Sequence, residues 1–202
     1  MRKVMNYRYY VVLLLCFVTT SCANTKMTQH WLLAEHERPY QHPLIIGISD
    51  SQQTRQIYEK HFVSELKKQN IMATASYTII NSKQKMNRET VINAIQGTNI
   101  DAVIVSYLVS SETEVKYHES PLSQGYSGDV EHNRISDTLV STRGRTSNTE
   151  IITLKNDLYD ARTKSLVWSS QTRTVAPESI DAVVVDVTAL LIEQMLSDKV
   201  LK

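Results

Sequence analysis

From residue 43 onward, apolar positions fall into runs that alternate between strand and helix periods. Leu44 to Ser49 is a near-continuous apolar run, which predicts a strand covered on both faces. Asp50 and Ser51 follow, with Gln53 three after Asp50, an N-cap and a capping-box variant. The predicted helix runs to about Gln69 and stops at Asn70. Tyr58, Phe62 and Leu66, with Ile57 and Val63 beside them, form its apolar face. Ala73, Ala75, Tyr77 and Ile79 alternate with hydroxyl residues and predict a second strand over 73–80. Asn87 caps a second helix with Val91, Ile92 and Ile95 on one face, closed by Gly97. Ala102 to Val109 is a third strand, and its alternation continues through Val115 and Tyr117, so it is expected to project beyond the sheet body. Residues 119–147 hold Gly125, Gly128 and Gly144 with several serines and few apolar residues, the pattern of a long loop. Ile151–Tyr159 and Leu166–Arg173 form a hairpin. The apolar positions from Ile180 to Met195 keep a 3.6-residue period in a closing helix. The predicted class is α/β, a mixed sheet with chain order β-α-β-α-β-β-β-α and helices packed on it.

The first 42 residues follow another logic. Met1 to Arg8 is basic, Tyr9 to Val18 is apolar, and Thr19, Thr20 and Ser21 lead to Cys22. The apolar segment has the length of a signal-peptide core and falls short of the roughly 20 residues that a membrane span needs. This order resembles the bacterial lipobox, with Thr19 where that motif usually has Leu. The resemblance implies cleavage before Cys22, a lipidated Cys22 and no other cofactor. Ala23 after the cysteine resembles the sorting pattern of the outer membrane. More than one acyl chain is what stable anchoring requires. The chain thus divides into a signal peptide (1–21), a lipidated tether (22–42) and a single domain (43–202) facing the periplasm. The tether is polar, with Trp31 expected to pack on the domain. Its His30, Glu35, His36 and His42 fit no recognised metal-site spacing, and no metal is assigned.

The hairpin carries a second resemblance. Asp157 to Trp168 (DLYDARTKSLVW) and Asn99 to Tyr107 (NIDAVIVSY) resemble segments of a group of bacterial envelope proteins. The group includes the curli-secretion lipoproteins, the amino-terminal domain of the Tol translocation protein, and the lipoprotein activators of penicillin-binding proteins. Lys164 stands where a turn glycine is common. Leu158 and Leu166 are expected to flank the turn, Asp160 to cap it, and Trp168 to pack opposite Asn156 or its neighbours.

Chemistry narrows the function further. The net charge is +1, and without Arg2, Lys3 and Arg8 the balance is 19 basic to 21 acidic residues, which excludes a basic nucleic-acid face. The sequence has no P-loop, no G-x-G-x-x-G and no nucleophile elbow; Ser127 between Tyr126 and Gly128 lacks the elbow spacing. No catalytic residue is assigned, and the chain is not expected to be an enzyme. Tyr117, Tyr126, Arg143 and Arg145 are the candidate partner-binding residues, because Tyr and Arg offer area together with hydrogen bonds. The expectation is a lipid-anchored, non-enzymatic binding, assembly or regulatory module of the cell envelope, with the membrane and an envelope protein as partners. An oligomeric secretion or pore component is the alternative within the resemblance. An envelope hydrolase or glycan-binding module is the alternative outside it.

Overall fold

The computed structural model describes residues 24–33, 39–81, 84–118 and 145–202, with the backbone alone for 116–118 and 145–147. The chain order is β1 (Thr25–Leu32), β2 (Pro43–Ile48), α1 (Gln52–Lys68), β3 (Thr74–Ala75), a 3-10 turn (Ser76–Thr78), α2 (Arg88–Ile95), β4 (Ala102–His118), β5 (Arg145–Asp160), β6 (Leu166–Val175) and α3 (Ile180–Ser197). The strands form one six-stranded sheet in the order β1-β6-β5-β4-β2-β3. β2 is parallel to β3 and β4, and the other neighbours are antiparallel. The mixed α/β sheet expected from the pattern is therefore present, with a changed order of elements.

α1 and α3 cover one face of the sheet. Tyr58, Phe62 and Leu66 of α1 share a core with Val187, Leu191 and Met195 of α3 and with Ile45, Ile104, Leu158 and Trp168 of the strands. These are the residues that the 3.6-residue and two-residue periods place inside. α2 covers a smaller area of the opposite face, where Leu44, Ile46, Ile100 and Val103 form a second cluster.

Three expectations change. First, residues 25–32, read as tether, form the edge strand β1, paired from Thr25↔Thr174 to Leu32↔Trp168. His30 makes a tilted ring contact with Trp168, while Trp31, paired with Ser169, is 46% exposed. Second, the strand expected over 73–80 ends after Ala75. The next residues turn to serve the fully buried Glu59: Ser76 Oγ donates to its Oε1 at 2.6 Å and Tyr77 N to its Oε2 at 3.0 Å. A buried carboxylate needs its lone pairs filled, and that requirement overrides the alternating pattern. Third, Ser51 rather than Asp50 caps α1, accepting from Thr54 N at 3.2 Å. Trp168 lies across from Leu158, two residues from Asn156, which itself faces Ser170.

Other local readings hold. Asn87 caps α2 through Thr90 N at 2.8 Å. Asn70, with φ 62°, follows the end of α1, and Gly97, with φ 78°, follows α2. In the β5–β6 turn, Asp160 Oδ1 accepts from Thr163 N at 2.6 Å. Lys164 adopts φ 61°, the left-handed region that a glycine would enter freely.

Candidate functional site

β4 and β5 outrun the sheet that supports them. β2 leaves β4 at Tyr107, and β6 leaves β5 at Ile151. Beyond Ala176 N, which donates to Glu150 O at 2.8 Å, the two strands continue with no third strand beside them among the described residues, from Glu114↔Thr149 to His118↔Arg145. Those five rungs extend about 17 Å at ~3.4 Å per residue. A two-stranded ribbon without a third strand is marginal in water. Val115 on this arm is 62% exposed.

The arm places two of the candidate partner-binding residues one rung apart near its outer end, since Tyr117 pairs with Thr146 and His118 with Arg145. Residues 145–147 thus belong to β5 rather than to the expected loop 119–147. Tyr126, Arg143 and Cys22 lie outside the described residues.

At the base of the arm lies a groove of about 220 Å³. Its floor includes Ile152, Leu154, Val183 and Val184, and its walls include Ile48, Leu108 and Ile180. The three wall residues are 45%, 54% and 59% exposed. One exposed aliphatic side chain is ordinary, but three around one apolar groove form a contiguous apolar patch. The pattern analysis assigned all three to the interior, because each sits in an apolar run. The register shift between Leu108 and Ser110 changes the spacing of β4 here, and no sequence signal announces a bulge at that point.

The sheet face away from α1 and α3 holds a polar cluster that the sequence did not reveal. Asp157 is buried there, and its Oδ1 accepts from Ser169 Oγ at 2.6 Å. Its Oδ2 lies 3.5 Å from the Tyr107 hydroxyl, 3.5 Å from that of Tyr159 and 3.7 Å from Lys155 Nζ. Asp157 raises the Lys155 pKa, and burial, followed by Asp157, raises that of Tyr159. Lys155 therefore stays charged and Tyr159 protonated near neutral pH, and neither is poised as a general base.

Two tether histidines have specific partners. His30 Nε2 lies 2.7 Å from Asp198 Oδ2, which also accepts from Trp168 Nε1 at 2.8 Å. His42 Nε2 lies 2.9 Å from Thr74 Oγ1. His30 thus pins β1 to the end of α3.

No protein-family model and no curated protein matches this chain. Among solved structures, it is similar to the PelC dodecamer from Paraburkholderia phytofirmans at 12% identity and a TM-score of 0.44, over 88% of this chain and 97% of that one. A point variant of the same dodecamer gives 13% identity and the same TM-score, over 88% and 96%. Lipoprotein GNA1162 from Neisseria meningitidis gives 12% identity and a TM-score of 0.41, over 77% and 98%. Likenesses this distant assign no activity to the chain.

Proposed function

We propose that this chain is an outer-membrane lipoprotein, anchored through Cys22, whose periplasmic domain is a non-enzymatic docking module for an envelope protein. The observation that carries the docking role is the unsupported β4–β5 arm with an apolar groove at its base. The arm offers open strand edges, and the groove offers a pocket for an apolar side chain; together these are the elements of strand addition to a sheet edge. The basic, apolar and small-residue order before Cys22 supports the anchor. Among the described residues no helix is long and apolar enough to cross a membrane. A lipid confines the domain to a surface and raises its effective concentration near membrane partners.

Crosslinking in the periplasm, followed by mass spectrometry, tests this reading. Wild type is expected to capture one dominant envelope protein. Cys22→Ala should weaken the capture, and Leu108→Asp should abolish it while leaving the thermal midpoint nearly unchanged. Capture unaffected by Leu108→Asp sinks the arm-and-groove site. A ladder of this chain's own multimers would favour the oligomeric secretion or pore reading instead. Palmitate labelling of wild type but not of Cys22→Ala checks the anchor separately.

A further inference from the structure

On the sheet face opposite α1 and α3, Val91 and Ile95 of α2 pack on the Leu44–Val103 cluster, but among the described residues the helix leaves a cavity beside that contact. No residue of α2 is buried, although Val91, Ile92 and Ile95 line up on the side facing the sheet. Between them and Ile46, Val103 and Val105 lies a cavity of about 400 Å³. Pockets that hold small ligands span about 300–1,000 Å³ and are mostly apolar with a few placed polar groups. α2 is eight residues long, so the trough beneath it runs about 12 Å at ~1.5 Å per residue.

The charged groups along this trough are Arg88, Lys164 and Asp160. Asp160 is already engaged, since Oδ1 takes the Thr163 amide and hydroxyl and Oδ2 takes the Tyr40 hydroxyl at 3.0 Å. Arg88 and Lys164 form no ion pair among the described residues. Arg88 opens α2 and sits at the mouth of an apolar slot with its guanidinium unmatched. A guanidinium pairs with a carboxylate through two parallel hydrogen bonds. We infer that the trough under α2 binds a single medium-chain carboxylate, with the alkyl chain along Val91, Ile95, Val103 and Val105 and the head group on Arg88. The site goes beyond the docking role, because it lies on the other face of the sheet from the groove at the base of the arm.

The test uses the full chain reconstituted in phosphatidylcholine vesicles and a photoreactive decanoate, with crosslinked peptides mapped by mass spectrometry. Saturable labelling is expected within residues 86–95 or 103–105. Unlabelled decanoate should displace the probe at least about tenfold better than decanol, which lacks the charge. Arg88→Glu should weaken decanoate about tenfold, and Arg88→Lys, which keeps the charge but loses the two-point pairing, should fall between Arg88→Glu and wild type. Arg88 is exposed, so both variants keep the fold. Val91→Trp fills the trough and should remove labelling by itself. Labelling scattered over the surface overturns the proposal. So does equal displacement by decanol, or displacement by phosphatidylglycerol vesicles as complete as that by decanoate. Partner capture through Leu108 is unaffected by any of these outcomes.

Discussion

Beneath α1 and α3 the sheet meets side chains that fill the space, while beneath α2 it meets a trough. On the first face Ile104, Leu158, Trp168 and Phe62 are fully buried, and α3 alone contributes seven buried residues. On the second face Leu44, Ile46, Ile100 and Val103 are buried, but α2 contributes no buried residue, and Asp157, Lys155, Tyr107 and Tyr159 form a polar cluster beside them. The same six strands serve both. Length separates the helices: 17 and 18 residues span the sheet, and eight do not. One face carries most of the buried core, and the other keeps a cavity.

Four measurements break or sharpen that contrast. The largest effect is expected at Glu59, whose Oε1 takes Gly47 N at 3.1 Å, Arg55 Nε at 2.8 Å and Ser76 Oγ at 2.6 Å. Glu59→Ala leaves these donors and the Arg55 charge unmatched inside the first face. Urea unfolding should show a loss of about 3–5 kcal/mol.

Leu158→Ala should cost about 2–5 kcal/mol, the range for a fully buried leucine. Val105→Ala, half-buried at the trough, should cost about 1 kcal/mol or less. Equal losses at the two positions would erase the difference between the faces.

Asp198 ties β1 to the packed face. Burial on its own would raise the pKa of this carboxyl, but hydrogen bonds from Trp168, Gln194 and His30 outweigh it and hold the pKa below the ordinary value. Because the folded pKa is below the unfolded one, the stabilisation is present above the unfolded value. It is lost as pH falls through the folded value. Asp198→Ala should cost about 1–3 kcal/mol at neutral pH. It should also flatten the acid limb of the stability profile. An unchanged acid limb would mean that other carboxylates set it.

The smallest effect is a gain. Lys164→Gly relieves a left-handed residue in the hairpin turn and should stabilise by about 0.5–1 kcal/mol in thermal melts. A loss would show that the lysine side chain supports the turn beside the trough.

Much of the fold was legible where one period ran long enough. α3, β4 and the hairpin kept their patterns, and the caps at Asn87 and the turn acid Asp160 carried their own local chemistry. β1 was not legible, because its side chains mix polar and apolar types and only the partner strand β6 makes it a strand. The arm and the apolar groove at its base were half legible. Alternation through Val115 and Tyr117 announced the arm, but Leu108 and Ile180 looked like core residues because hydrophobicity alone does not say whether a covering element arrives.

What the sequence by itself determined is local: helix stripes, strand alternation, caps and turn residues. These depend on neighbours within a few residues, and spacing suffices to set them. Only the tertiary structure decided which apolar residues stay uncovered, that Glu59 is buried among Gly47, Arg55 and Ser76, and that α2 is too short to close its face of the sheet. Those outcomes depend on elements far apart in the chain meeting in space, where burial and unmet hydrogen bonds are settled between segments rather than within them.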